Sequence, residues 1–394
     1  PRRFWSFPAI NPRWTERDAV GELRRITEEA VRDHLISDVP VGVFLSSGLD
    51  STAMAAIAAR HTSNLRTFTV SFADQPDMSE AALAAGTAKL IGAKHQEVVI
   101  NGPDALAAAS KWIEASDQPS VDGLNTYVIS KAVREQGIIV ALSGLGGDEL
   151  FGGYSAFRIV PRMLAYQRPL RSLERAGIRA ASRVLRGDKL TDLMRGGQDL
   201  LSLYLRERRI LSNEEFAKLG IPQQSQGLPD GGVLDATPRG DDVIADISRL
   251  ESRLYMGNTL LRDSDVHGMA HSPELRVPLL DKRLLDFAYS VPGTVRLPKG
   301  ASGKHLMRQA FGEFLRPELL TQKKRGFSLP VGRWMLGPLR EMCESGLAAL
   351  RPLGFFNSDA VDAIWRDFVA RGTGTHWTTP MAFVSLGLFA RRLV

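Results

Sequence analysis

Val41-Gly42-Val43-Phe44-Leu45-Ser46-Ser47-Gly48-Leu49-Asp50-Ser51 carries an apolar run into a hexapeptide of small hydroxylated residues. The helix-forming run Thr52-Ala53-Met54-Ala55-Ala56-Ile57-Ala58-Ala59 follows at once. A strand that turns this way into a helix N-terminus presents backbone N–H groups and the positive end of the helix dipole to an anion. Gly48 lets the chain approach closely, and the serine hydroxyls donate further hydrogen bonds. A Walker-type loop would carry a lysine here, whereas this one carries Asp50. An acid beside a phosphate requires a cation between them, so Asp50 is expected to hold Mg²⁺ bridged to a pyrophosphate. The alternative is a plain Gly/Ser-rich turn.

Working outward, Thr15-Glu16-Arg17-Asp18 reads as a capping box opening a helix, with Val20, Leu23, Ile26 and Ala30 at helical spacing up to about Leu35. Strands are expected at Val41–Leu45, Arg66–Phe72, His95–Ile100 and Ile138–Leu142. Between them lie helices from a Ser79 cap through Ala81 to Ile91, from Pro103 to Glu114 and from Leu124 to Gln136. Nearly continuous apolar strands alternating with helices imply a parallel sheet covered on both faces. Ligands of such sheets sit beyond the strand C-termini, where Ser46 and Ser143 fall. After Tyr154 the strand pattern disappears and the chain reads mainly as helices, with Gln223–Gly240 a long surface loop. One unit is expected over 1–394: an α/β nucleotide core at 15–160 and a helical region at 161–394 that completes the site.

The bulk numbers agree with a soluble globular chain. Its 394 residues are 44% hydrophobic, enough for one large core or two moderate ones. No run reaches the roughly 18 apolar residues of a membrane span, and no signal peptide is evident, so a cytoplasmic location and no membrane partner are expected. Cys343 is the only cysteine, which excludes an internal disulfide framework, and its acidic flanks argue against a nucleophile. The net charge is +6, with an excess of arginine between Arg158 and Lys189. From Arg168 onward these arginines form a helical stripe, read as a solvated face, with nucleic acid not expected as a partner. His267 and His271 could share a helix face and a metal, but no third ligand is near and a structural role is expected.

A second constellation follows the fourth strand: Ser143-Gly144-Leu145-Gly146-Gly147-Asp148-Glu149-Leu150-Phe151-Gly152-Gly153-Tyr154. Five glycines around an acidic pair suit a backbone that closely approaches a metal or phosphate. Together, the two loops resemble the synthetase domain of the asparagine synthetase B family. Met269–Asp281 is similar to that family's MAHSLE-RVPFLD stretch, and Gly303–Arg308 with Gln322–Phe327 is similar to its GK-LR and KK-GF pair.

The resemblance implies an α/β fold of the ATP pyrophosphatase type and a reaction in two halves. A substrate carboxylate attacks the α-phosphate of ATP, releasing pyrophosphate, and ammonia or an amine then displaces AMP. It also implies roles for matching residues. Leu45, Val70, Ser143 and Gly144 would hold the adenosine, and Ser46, Gly48, Asp50 and Ser51 the pyrophosphate. Asp50 and Asp148 would hold Mg²⁺, while Lys304 and Lys324 neutralise the phosphates, as charge developing on a transferred phosphoryl group requires. Glu274 and Arg276 are either a structural ion pair or ligands of the substrate.

Three departures from the family pattern bear on function. No glutaminase domain with its nucleophilic Cys precedes Pro1, so a trimmed or naturally truncated chain is expected, its nitrogen coming as ammonia, as another amine, or from a separate glutaminase subunit or domain. Leu145 stands where asparagine synthetases have Glu, and an alkyl group cannot act as a base on the attacking nitrogen. A small-molecule or conjugated carboxylate other than aspartate is therefore favoured, with strict asparagine synthesis the alternative. Ser47 replaces the family's first Gly. Two other classes stay open: a non-catalytic ATP-binding paralogue and a nucleic-acid-modifying ATP pyrophosphatase.

Overall fold

The computed structural model describes residues 4–72, 80–100, 102–175, 199–221, 238–315, 329–372 and 376–393. Helix α1 (Glu16–His34) starts on Thr15, whose hydroxyl oxygen accepts the Asp18 N–H, and Asp18 answers by accepting the Thr15 hydroxyl proton at 2.7 Å. Strand β1 (Val41–Phe44) leads to α2 (Leu49–His61), β2 (Arg66–Phe72), α3 (Ala81–Leu90), β3 (Lys94–Ile100), α4 (Gly102–Ala115), α5 (Gly123–Glu135) and β4 (Val140–Leu142). The expected alternation is therefore present. Ser79 lies outside the described residues, and α3 begins after Glu80. Gly92, at φ +71°, ends that turn in the left-handed region that glycine enters without steric cost.

All strand pairs are parallel, in the order β3-β2-β1-β4-β5. The fifth strand, β5 (Glu274–Arg276), corrects the expectation that strands end after Tyr154. Three residues with one apolar side chain carry no periodicity; β5 forms because β4 offers it a free edge, where Glu274 N–H donates to Ile139 O at 2.7 Å. Chain order reverses at β1, between β2 and β4, which opens the crevice in which ligands of open α/β sheets bind.

Two buried apolar clusters cover the sheet. One joins Val43 and Leu142 to Leu23, Met54 and Phe151 and to Leu306 and Phe311, while the other joins Phe68, Val70 and Ile138 to Trp112, Val133 and Trp334. The second half of the chain thus packs onto both faces and is mainly helical. Residues Val243–Met269 run through α-, π- and α-helical turns in succession. Helix α7 (Ala156–Arg175) holds the start of the arginine stripe, and Arg179, Arg183, Arg186 and Lys189 lie outside the described residues, as does most of the Gln223–Gly240 segment. Among the described residues no helix is long and apolar enough to cross a membrane.

Candidate active site

A cavity of about 760 Å³ opens at the C-terminal ends of β1 and β4. Leu45, Ser46, Gly48, Asp50, Ser51, Val70, Ser143, Gly144, Asp148 and Lys304 all line it, so ten of the expected residues meet at the topological switch point. Gly48 is the N-cap of α2, and Asp50 lies in that helix's first turn. The loop is braced by its own hydroxyls: Ser46 N–H donates to Ser51 Oγ, and Gly48 N–H to Ser46 Oγ, each at 3.1 Å. Ser47 lines the cavity as well, and its N–H donates to Glu80 Oε2 at 3.1 Å.

The second loop folds into the short helix α6 (Gly147–Phe151), and two groups from the second half, with Tyr154 of the loop itself, pin it. Buried Arg296 donates to Leu150 O at 2.8 Å, Ser248 donates to Glu149 O at 2.7 Å, and Tyr154 donates its hydroxyl to Glu149 Oε1 at 2.6 Å. Burial pushes the Glu149 carboxyl up to about 7 despite the Tyr154 hydrogen bond. Gly153 is required by proximity. A Cβ there would overlap Asp148 Oδ1 and come within 2.6 Å of Lys304 Cε.

Lys304 closes the site. Its ammonium is paired with Asp50 Oδ2 and stands 2.8 Å from Asp148 Oδ1, with 9% of the side chain exposed. Burial pulls its pKa down, but the two carboxylates outweigh that and hold it above the usual lysine value. The residue adopts φ +60°, left-handed for a non-glycine, at the N-cap of the helix His305–Phe311. Such strain costs about 1–3 kcal/mol and persists where the surroundings over-determine it.

This donor set suits Mg²⁺. Asp50 and Asp148 converge on one cation with hard carboxylate oxygens, and Gly147 keeps the approach open, since a Cβ there would stand 2.5 Å from Asp50 Oδ1. Among the described residues no group of three or more His, Cys, Asp or Glu forms a metal cluster.

Away from the Ser46–Ser51 loop, sequence reasoning had missed a second group of wall residues. Tyr255 donates to Asp122 Oδ2 at 2.9 Å, and Ser120 donates to Asp263 Oδ2 at 2.5 Å. Burial raises both carboxyls, Asp263 to about 6. Behind them, Arg208 stacks on the Tyr154 and Tyr255 rings, 4.4 and 4.3 Å from their centroids, and is held by Glu251. Leu145 lines the same cavity and offers no ionisable atom.

Other expected residues fall elsewhere. Glu274 and Arg276 pair with each other at 2.7 Å, and Arg276 also donates to His34 O and Ile36 O, so they tie β5 to the end of α1 and line no part of the cavity. These contacts support the structural alternative for the pair. Lys324 lies outside the described residues. His267 stands 3.0 Å from Ser116 Oγ, while His271 packs edge-on against Tyr127, so the two rings serve different neighbours. Cys343 is fully buried, and burial, more than Glu344 beside it, pushes its thiol up to about 12.

Comparison with known proteins gives a consistent picture. The asparagine synthase family model matches residues 22–390. The chain is 29% identical over 368 residues to the glutamine-hydrolyzing asparagine synthetase 1 of Bacillus subtilis, covering 92% of this chain and 58% of that protein. It is 24% identical over 360 residues to the glutamine-hydrolyzing asparagine synthetase B of Escherichia coli, covering 86% and 50%. An amidase of Penicillium rubens, chyE, is 26% identical over 420 residues, covering 95% and 62%. The chain spans about half the length of the curated relatives it matches.

Proposed function

The chain belongs to the asparagine synthase family, and from that premise we propose that it is an ATP-dependent amide-forming ligase with an ATP pyrophosphatase type of nucleotide core. It adenylates a substrate carboxylate, releases pyrophosphate, and passes the acyl group to ammonia or an amine. One observation carries this reading: the Ser46–Ser51 loop, the Asp50–Lys304–Asp148 triad and the cavity meet at the switch point of a parallel sheet.

Each residue then has a task. Leu45, Val70, Ser143 and Gly144 form the wall taken by the adenosine, and the loop N–H and hydroxyl groups receive the β- and γ-phosphates. Asp50 and Asp148 would hold Mg²⁺, which when bound would supply positive charge to offset that of the pyrophosphate. Lys304 supplies a buried positive charge next to the α-phosphate, where charge builds during in-line attack. Lys324 is assigned to the same phosphates by its motif. The acyl substrate takes the part of the cavity walled by Leu145, Tyr255, Asp122 and Asp263. Leu145 supplies no base, so the nitrogen nucleophile either arrives already neutral or loses its proton elsewhere, and aspartate is not the favoured substrate. A glutaminase domain or subunit, or free ammonia, would serve as donor.

Exchange of labelled pyrophosphate into ATP, run with Mg²⁺ and a panel of carboxylates that includes aspartate, tests the first half-reaction. Exchange that depends on one carboxylate supports the proposal. No exchange with any carboxylate, together with no ATP binding, refutes it.

A further inference from the structure

Glu80 stands just before α3 and lines the cavity at the phosphate loop, where the Ser47 N–H reaches it. The Ser46 and Gly48 N–H groups of that loop are taken by the loop's own serines, and the Ser47 N–H is taken by the Glu80 carboxylate at 3.1 Å. Among the described residues no cation pairs with Glu80. Across the site, the Lys304 ammonium stands between the two carboxylates that suit a divalent cation. The protein's own anion thus sits on the anion cradle, and its own cation sits in the cation cradle.

We propose that Glu80 is a surrogate anion seated on the phosphate loop, and that it makes the loop selective for a metal-complexed polyphosphate over a bare one. The inference rests on the reading of this loop as a pyrophosphate site. A bare polyphosphate must dislodge Glu80 while facing Asp50 and Asp148, and it brings no charge to offset them. A complexed polyphosphate brings a divalent cation that competes with Lys304 for the two aspartates. Lys304 is then released toward the phosphate oxygens, while those oxygens take the Ser47 N–H from Glu80. Lys304 and the two aspartates exchange partners in one event, each keeping a counter-charge, while Glu80 gives up the Ser47 N–H.

Calorimetric titration with inorganic pyrophosphate, with and without Mg²⁺, tests this on the intact chain. Glu80→Gln keeps an acceptor for Ser47 and removes the charge. Metal-free pyrophosphate is expected to bind Glu80→Gln at least tenfold more tightly than the unaltered chain, while Mg²⁺-pyrophosphate changes less than threefold. Unchanged or weaker metal-free binding overturns the role of Glu80. In a parallel titration with Mn²⁺ alone, read by electron paramagnetic resonance, Lys304→Met should bind at least fivefold more tightly, and an unchanged affinity overturns the exchange with Lys304. If the unaltered chain binds Mg²⁺-pyrophosphate and Glu80→Gln behaves identically, only this inference fails. If the unaltered chain binds no pyrophosphate with metal, the pyrophosphate reading fails with it.

Discussion

Replacing Lys304 with Met probes the centre of the site through stability as well as catalysis. The Lys304, Asp50 and Asp148 side chains are only 9%, 14% and 18% exposed, so losing the ammonium leaves two carboxylates facing each other in a poorly hydrated pocket. Breaking a buried ion pair by removing one partner costs about 3–5 kcal/mol. The residual exposure places this case near the lower end, at about 3 kcal/mol. The loss has a specific remedy. If the two aspartates form a Mg²⁺ site with a dissociation constant of about 0.1 mM once the ammonium is gone, 10 mM Mg²⁺ returns about 2.7 kcal/mol. Urea unfolding followed by tryptophan fluorescence reads both effects, with the unaltered chain moving much less on addition of Mg²⁺. A loss below about 1 kcal/mol, or a variant indifferent to Mg²⁺, would refute the claim that the ammonium and the metal share one cradle.

Three further outcomes are expected. Gly153→Ala should weaken Mg²⁺-ATP binding at least tenfold by calorimetry, because the new methyl overlaps Asp148 and crowds Lys304; overpacking of this kind costs about 1–3 kcal/mol. Leu145→Glu puts a carboxylate on the cavity wall and should raise ammonium-dependent turnover by about tenfold or more, since a positioned base contributes about 10²–10⁴; an unchanged rate would mean that the proton leaves by another route. The third concerns pH and two neighbouring groups, His267 and Asp263. Burial lowers the His267 imidazole to about 4, so the unfolded chain takes up its proton first and stability is lost as pH falls from about 6.5 toward 4. Burial raises the Asp263 carboxyl to about 6, so its contribution runs the other way, with stability lost as pH rises from about 4 to 6. The two slopes oppose each other in the unaltered chain, and Asp263→Asn should make acid destabilisation between pH 6 and 4.5 visibly steeper in unfolding curves.

The half of the site built on β1 and α2 was legible because its determinants are local. A strand, a turn of small residues and a helix occupy consecutive positions from Val41 to His61, and β2, β3 and β4 announce themselves through apolar runs. The glycines of the second loop marked close approach before Gly153 was seen against Asp148 and Lys304. What stayed hidden depends on contacts distant in sequence. Strand β5 is three residues long and exists through pairing with β4. Tyr255 reaches Asp122 across 133 positions, and on a long helix neither it nor Asp263 differs in pattern from a solvated polar face. The four-residue spacing of Asp263 and His267 was the available signal, and it was read instead as His267 and His271. Glu80 had no motif of its own, and its role rests on a single hydrogen bond to a backbone N–H. Arg276 shows the converse: a residue of binding type within a family-like stretch donates to backbone carbonyls at the end of α1, with Glu274 as its ion-pair partner.

Isotope transfer tests most directly whether a carboxylate oxygen attacks the α-phosphate. A carboxylate substrate labelled with ¹⁸O, incubated with the chain, ATP, Mg²⁺ and ammonium, should yield amide together with AMP that carries one labelled oxygen, and unlabelled pyrophosphate. Label found in inorganic phosphate alongside ADP, or AMP formed without label, would contradict the account.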